Sequence, residues 1–401
     1  MKKLMCVCVI GLFFLLLFLQ GGAVAEKPSV INLGLILDMS GPYAPVTGGM
    51  RPGVKDACEY INENNGVRGV PLKAVIRDSS GKIPVGLSHY NELISIKPKP
   101  LFFYSCETPL SEALRGRYKE DGVIAMAGAS TKAIYPAANS FSLFANYAEQ
   151  AAVGLKFIKD NWKEKRNPRV GIITWDTAYG RAIITPEFYE YVKSIGVDIV
   201  DTQLFGIRDM EVTIQMLKLR GKKADYLLTN SLGHGPLAIK KAAKEMRWNV
   251  TLINGQGGGW GAVRLAPEIF EGDIILLDQK SWDEADDPSI QLIEKYFKKN
   301  NRDIKDRCLF YLEGWSHTIL AQHLFETVVD RFGWGGVNIN NLKKVMVNLK
   351  DFRPLGGLSS YTYSEKRRSL RMTRIYKVTQ GKLIPLSDFI ETPDLRPAQY
   401  R

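Results

Sequence analysis

The sequence predicts an α/β protein made of two successive halves, each with a parallel β-sheet covered by helices on both faces. Strand-like apolar runs alternate with helix-like periodic segments along most of the chain. This alternation pauses near residues 140–148 and then starts again, which indicates two similar halves. The 401 residues are 45% hydrophobic and 24% charged, a composition that allows packed cores and excludes wholesale disorder.

The first 25 residues have the pattern of a secretory signal. Two lysines precede an apolar stretch over residues 4–19, and the small residues Ala23 and Ala25 follow it. A membrane anchor is the alternative, but the stretch is short for a bilayer span and a cleavage site follows directly. We expect cleavage before Glu26 and export of the mature protein.

Four strands are expected in the first half, because short apolar runs end at clusters of turn residues. These strands are predicted at residues 31–37, 72–76, 101–104 and 122–127. Apolar residues at helical spacing lie between them. The corresponding helices are predicted at residues 54–61, 85–94 and 110–118.

The second half repeats the same alternation. Its strands are predicted at residues 169–175, 197–201, 225–229, 250–253 and 273–277. Its helices are predicted at residues 178–195, 212–219 and 236–246. The tail differs from both halves, with helices predicted at residues 290–299, 309–330 and 342–349 and a terminal hairpin at residues 374–378 and 383–387.

The charge and cysteine content exclude several classes of partner. The net charge is +12, but basic residues are scattered among acidic ones, which favours a solvated surface over a nucleic-acid-binding face. Beyond the signal the cysteines are Cys58, Cys106 and Cys308, so at most one intramolecular disulfide can form. None of them lies at metal-ligand spacing, and we expect no metal and no cofactor.

The loops after the predicted strands are the expected binding region, because parallel sheets bind ligands at the carboxyl ends of their strands. These loops carry hydroxyls, backbone amides and aromatic rings, as in a site for a small polar molecule. Ser130 and Thr131 could donate hydrogen bonds to a carboxylate, although capping of a helix is the common role of such residues. HExxH, GxSxG and P-loop patterns are absent from the sequence, so we expect no enzymatic activity.

Several segments resemble the type I periplasmic binding proteins, and most of all the receptors for branched-chain (hydrophobic) amino acids that serve ABC importers. The opening strand leads into SGPYA at residues 40–44, and a helix ends in INENNGVRG at residues 61–69. GAST at residues 128–131 and WDTAYG at residues 175–180 continue the resemblance. It extends over essentially the whole chain after the signal.

The resemblance implies two Rossmann-like lobes, joined by three crossovers, that close on a ligand. It places the first lobe at residues 26–147 and 281–352 and the second at residues 148–280 and 353–401. In the family, hydroxyls and backbone at the ends of the third and fourth strands hold the ligand's carboxylate, and a tyrosine of the far lobe covers the ligand. The positions of this chain that match are Ser105, Thr108, Ala129, Ser130, Thr131 and Tyr179.

One position departs from the family pattern. Amino-acid-binding members place a glutamate where this chain has Gln256, and a neutral amide cannot compensate a buried ammonium. Asp278 and Glu107 are the nearby loop acids that could substitute for it. On this basis, carboxylates and amides without an α-ammonium are expected to bind better than leucine, isoleucine or valine.

The sequence therefore predicts a monomeric periplasmic receptor that binds a small solute, such as a branched-chain amino acid or a related carboxylate or amide, and delivers it to an inner-membrane ABC permease. The resemblance leaves a sensory receptor of the same fold as an alternative. A secreted α/β enzyme is a further alternative, which would require a catalytic grouping. No nucleic-acid partner is expected.

Overall fold

The computed structural model describes residues 26–136 and 138–401. The predicted signal at residues 1–25 lies outside the described residues. The described chain contains two β-sheets, each flanked by helices, and the predicted α/β fold class with parallel sheets in two lobes is confirmed.

The first sheet has five parallel strands. They are β1 (Ile31–Leu37), β2 (Leu72–Asp78), β3 (Phe102–Ser105), β4 (Ile124–Ala127) and β5 (Ser140–Ser142). Their order in the sheet is β2-β1-β3-β4-β5, so β1 pairs with a parallel strand on each side. Every residue of β1 is buried, as expected for a central strand of a sheet covered on both faces.

Six helices accompany the first sheet. They are α1 (Ala44–Thr47), α2 (Met50–Glu63), α3 (Ile83–Ser95), α4 (Thr108–Leu114), α5 (Arg117–Glu120) and α6 (Thr131–Ile134). Prolines within the first turn of α3 and of α4 suit those positions, because the amide hydrogens there have no partner inside a helix. We call this sheet, with the helices packed on it, the first lobe.

The second sheet begins with five parallel strands and ends with antiparallel ones. They are β6 (Arg169–Trp175), β7 (Asp198–Phe205), β8 (Tyr226–Thr229), β9 (Thr251–Asn254), β10 (Ile274–Leu277), β11 (Met372–Thr379), β12 (Lys382–Pro385) and β13 (Ile390–Glu391). The order is β12-β11-β10-β9-β8-β6-β7, and β13 pairs with β11. The predicted terminal hairpin is therefore the β11–β12 pair, added antiparallel beside β10.

Six helices follow β5 and accompany the second sheet. They are α7 (Tyr147–Asn161), α8 (Ala178–Arg181), α9 (Pro186–Ser194), α10 (Thr213–Gly221), α11 (His234–Glu245) and α12 (Trp260–Leu265). This sheet and its helices form the second lobe. Three helices come between β10 and β11: α13 (Pro288–Lys299), α14 (Leu309–Phe332) and α15 (Ile339–Met346).

The two clearest differences between the structure and the predicted elements lie at residues 140–148 and 178–195. Residues 140–148, where the pattern pauses, contain β5 and the start of α7, which were not predicted. The single helix predicted at residues 178–195 is two helices, α8 and α9. The helix is interrupted because a new helix starts at Pro186. The Thr185 hydroxyl caps the start of α9 by accepting a hydrogen bond from the Phe188 amide.

The tail returns to the first lobe before it reaches the second sheet. Helix α14 packs along α2 at very close range, since a Cβ atom added to Gly53 would lie 2.2 Å from the carbonyl oxygen of Tyr311. Gly314 lies against the backbone of Met50 and Val54 in the same way. The chain thus passes three times between the lobes: after β5, after β10 and after α15.

The sequence allows at most one disulfide among the three cysteines after the signal. Cys58, Cys106 and Cys308 are buried and none of them is in a disulfide within the described chain. None of the helices in residues 26–136 and 138–401 combines the length and apolar character that crossing a membrane requires.

Candidate functional site

A small cavity of about 20 Å³ lies between the carboxyl ends of the two sheets. Both lobes and the tail contribute to its wall. The lining residues are Tyr43, Thr47, Cys106, Glu107, Thr108, Phe144, Tyr147, Tyr179, Leu232, Gln256 and Phe310. The position agrees with the expected binding region, because these residues follow strands of both sheets or begin helices next to them.

Asp38 shapes the first-lobe side of the cavity. Its buried carboxylate accepts hydrogen bonds from the amides of Gly41 and Tyr43, and this bends the chain after β1. The Thr47 hydroxyl donates to the Asp38 carbonyl oxygen at 2.6 Å. The rings of Tyr43 and Trp175 meet edge to face with centroids 6.0 Å apart, so the two lobes touch across the cleft.

Glu107 is the acidic residue of the lining. It follows β3 immediately before α4, is only 6% exposed, and accepts a hydrogen bond from the Ser79 hydroxyl at 2.5 Å. The pKa of Glu107 is raised to about 7, chiefly by burial and to a smaller extent by the charges of Asp38 and Asp78, while the hydrogen bond from Ser79 acts in the opposite direction. The carboxyl group therefore changes its charge near neutral pH.

Aromatic rings form the middle of the cavity. Tyr147 opens α7, and its hydroxyl lies 3.3 Å from the Thr108 hydroxyl. Its ring packs edge to face on Tyr179, with centroids 5.0 Å apart. Tyr179 lies on the short helix α8, whose backbone is held by a hydrogen bond from the Asn230 side chain to the Tyr179 carbonyl at 2.7 Å.

Gln256 lies at the second-lobe side in a left-handed backbone conformation with φ of 47°. Its amide donates to the side-chain oxygen of Gln150 at 2.6 Å, which holds this conformation in place. Its side-chain nitrogen donates to Oε1 of Glu313 at 3.3 Å. Because Glu313 lies on α14 and Gln256 follows β9, this hydrogen bond joins the first lobe to the second.

Glu313 and Asp278 form a buried acidic pair behind Gln256. Burial raises the pKa of Glu313 well above its usual value, and Asp278 adds to this effect. Burial likewise raises the pKa of Asp278 to about 7, while the Ala145 amide, which donates to it at 2.8 Å, acts in the opposite direction. Both carboxyls therefore favour the neutral form more strongly than exposed acids do.

The structure brings together three of the predicted site residues. Thr108, Tyr179 and Gln256 line the cavity, and Glu107, named as a possible substitute acid, does so as well. Asp278 lies outside the lining but close behind it.

The other predicted contacts lie away from the cavity lining. Ser105 is buried, with its carbonyl oxygen accepting from Ser111, and the Ala129 carbonyl accepts from the Tyr147 amide. The Ser130 hydroxyl caps α6, and Ser130 and Thr131 line a separate cleft. The Ser130 hydroxyl thus has the helix-capping role that the sequence left as the alternative, whereas the Thr131 hydroxyl accepts a hydrogen bond from the Asn146 side chain at 3.2 Å.

Several lining residues were not predicted. Phe310 and the nearby Glu313 come from α14, far along the chain from the strand-end loops that the sequence analysis considered. The one signal for Glu313 is a charged residue within the apolar segment LFYLEGW at residues 309–315. A charge in such a buried segment requires a polar partner, which Gln256 supplies.

The family model of periplasmic binding proteins matches residues 30–382. Among curated relatives, a Leu/Ile/Val-binding protein homolog of Brucella abortus is 24% identical over 254 residues, covering 60% of this chain and 62% of the relative. A second homolog, from Brucella melitensis, is 25% identical over 204 residues, covering 49% of this chain and 53% of the relative. The matched region thus spans less than two thirds of either relative's length.

Solved structures show the same fold over more of the chain. A branched-chain amino acid ABC transporter protein from Thermus thermophilus with bound valine superposes with a TM-score of 0.81 at 19% identity, covering 92% of this chain and 98% of that one. A solute-binding protein from Rhodopseudomonas palustris in complex with p-hydroxybenzoic acid has a TM-score of 0.74 at 18% identity, with coverage of 92% and 98%. With the family match over most of its length, the chain belongs to the periplasmic binding protein family.

Proposed function

We propose that this chain is the substrate-binding component of an ABC importer. It binds a small solute, such as a branched-chain or hydrophobic amino acid or a related carboxylate or amide, between two lobes that close on it. The observation that carries this proposal is the enclosed cavity at the junction of the lobes, with hydroxyl and aromatic groups supplied from both sides. Membership of the family and the names of the curated relatives support it.

We propose the periplasm as its location, with residues 1–25 as the export signal, and an inner-membrane permease as its partner. Residues 26–147 and 281–352 would move as the first lobe, and residues 148–280 and 353–401 as the second. Binding without turnover is part of this proposal and is supported by membership of the periplasmic binding protein family. A sensory receptor would share this site, and transport assays with the permease would distinguish the two roles.

Lobe closure is the first expected outcome. A bound solute bridges groups of both lobes, so it should shift the population toward the closed and more compact form. Mass spectrometry of solute carried through purification identifies a ligand, and small-angle scattering is then measured with and without it. An unchanged radius of gyration at saturating ligand would contradict closure.

Tyr179→Ala is expected to weaken solute binding by about 30-fold, because a buried aromatic contact at the centre of a site contributes about 2 kcal/mol. Calorimetry with the identified solute measures the effect. Tyr189→Ala is the matched control, since Tyr189 lies on α9 of the same lobe and outside the cavity lining. Equal affinities of the Tyr179 variant and the unmodified chain would place the site elsewhere.

A further inference from the structure

The cavity lining combines aromatic rings with an acid and contains no base. Its aromatic residues are Tyr43, Phe144, Tyr147, Tyr179 and Phe310. None of the eleven lining residues in the described chain is a lysine, an arginine or a histidine, and Glu107 is the one carboxylic acid among them. Aromatic faces and a carboxylate are the groups that attract a cation in a site with little water.

The groups that surround Glu107 add no positive charge. Asp38 follows β1 and Asp78 ends β2, and both raise the pKa of Glu107 by their charge. Ser79 donates its hydrogen bond, while Tyr43 and Cys106 are its other titratable neighbours. An ionised Glu107 is therefore stabilised by the Ser79 hydroxyl, and none of its interactions with the described residues is with a cation.

Two further polar atoms near the cavity lack a partner. The hydroxyl of Tyr179, which is 4% exposed, has no hydrogen-bond partner among the described residues. The same holds for Oε2 of Glu313, which is 3% exposed and lies behind Gln256. Burying such groups without partners costs free energy, which a hydrogen-bonding ligand can recover for those that it reaches.

We propose that the ligand carries a positively charged nitrogen that binds to Glu107 among the aromatic rings of the cavity. This inference rests on the proposed receptor function and narrows its substrate class to amines, including amino acids. It reverses the preference expected from Gln256, because the first lobe supplies an acid, Glu107, whereas this chain has Gln256 in place of the family's second-lobe glutamate. Glu107 is thus the specificity-determining residue.

The charge balance favours this class over simple carboxylates. A cation next to Glu107 forms a buried pair in which each charge compensates the other. A carboxylate in the same place would lie beside Glu107, whose ionisation Asp38 and Asp78 already oppose, and would have to keep Glu107 protonated. The two classes therefore differ in how their binding depends on pH.

Matched probes test the proposal with the full mature chain, freed of carried solute by dialysis. The aliphatic set is leucine, 3-methylbutylamine and 4-methylpentanoate, which share a side chain and differ in their charged groups. The aromatic pair is 4-hydroxybenzylamine and 4-hydroxybenzoate. In at least one set, we expect calorimetry to show that a probe with an amine binds more tightly, by about tenfold or more, than the probe without one.

The pH dependence has a definite sign. A bound cation favours the ionised form of Glu107, so amine affinity should rise as pH increases from 5 toward 7, by up to about tenfold per unit, and level off above. A carboxylate without an amine would show affinity that falls above pH 7. Glu107→Gln should remove the slope and weaken amine binding by about 30-fold or more.

Glu120→Gln is the control variant, because Glu120 is exposed on α5 of the same lobe and outside the cavity. It should keep both the affinity and the pH slope. The proposal is overturned if no amine binds, if the acids bind as tightly as the matched amines, or if Glu107→Gln retains the slope. Closure on binding any other solute would in that case leave the receptor function standing.

Discussion

Asp56→Ala is expected to lower the free energy of unfolding by about 3 kcal/mol, because it removes one partner of a buried charge pair. Asp56 is 0% exposed on α2, and its carboxylate accepts hydrogen bonds from the Arg302 guanidinium and the Tyr311 hydroxyl. The Asn300 side chain donates to the same carboxylate at 2.9 Å. The Arg302 side chain is partly exposed, so water can solvate its charge after the change. The expected loss of unfolding free energy therefore lies at the low end of the range for buried pairs.

Urea unfolding of the unliganded chain measures this loss. Asp330→Ala is the matched control, since Asp330 also pairs with an arginine, Arg68, but both side chains are about half exposed. Exposed pairs contribute about 0–1 kcal/mol, so the control should unfold close to the unmodified protein. Equal losses for the two variants would contradict the role given to burial.

Gly53→Ala is expected to destabilise the protein by about 3 kcal/mol, because α2 and α14 are too close to admit a methyl group. The added Cβ would lie 2.2 Å from the Tyr311 carbonyl oxygen and 2.9 Å from its carbonyl carbon. Backbone atoms within a helix cannot move aside as a side-chain tip can, so the two helices must separate and lose packing.

The control for this variant is Gly116→Ala. An added Cβ at Gly116 would meet no atom within 4 Å, and its φ of −72° suits any residue. Its stability should change by less than about 0.5 kcal/mol. A Gly53 variant as stable as this control, in thermal and urea unfolding, would show that the helices can separate without cost.

The long buried strands could be predicted from the sequence with accurate bounds. Residues 31–37 and 169–175 are largely apolar runs that end at turn residues, and they form β1 and β6 with the predicted limits. The three-residue strand β5 could not be predicted in this way. Its sequence, SFS, carries too few apolar residues to show a pattern, and pairing with β4 is what makes it a strand.

The cavity lining could be predicted where it follows strand ends, and could not be predicted where it depends on long-range packing. Thr108 lies just after β3 and Tyr179 just after β6, so position along the sheet edge was enough to find them. Phe310 and Glu313 reach the same region from α14, and nothing local relates that helix to the cavity. Ser130 also follows a strand end, but its hydroxyl caps the start of α6 and does not line the cavity.

The packing of α14 against α2 also determines when the first lobe can acquire its native structure. The strands of the first sheet are complete by residue 142, yet the helix that covers α2 begins at Leu309. During synthesis, more than a hundred further residues must therefore be made before α14 can cover the apolar face of α2. Contacts between residues so far apart in the sequence slow folding, so the apolar face of α2 stays exposed to solvent until α14 packs on it.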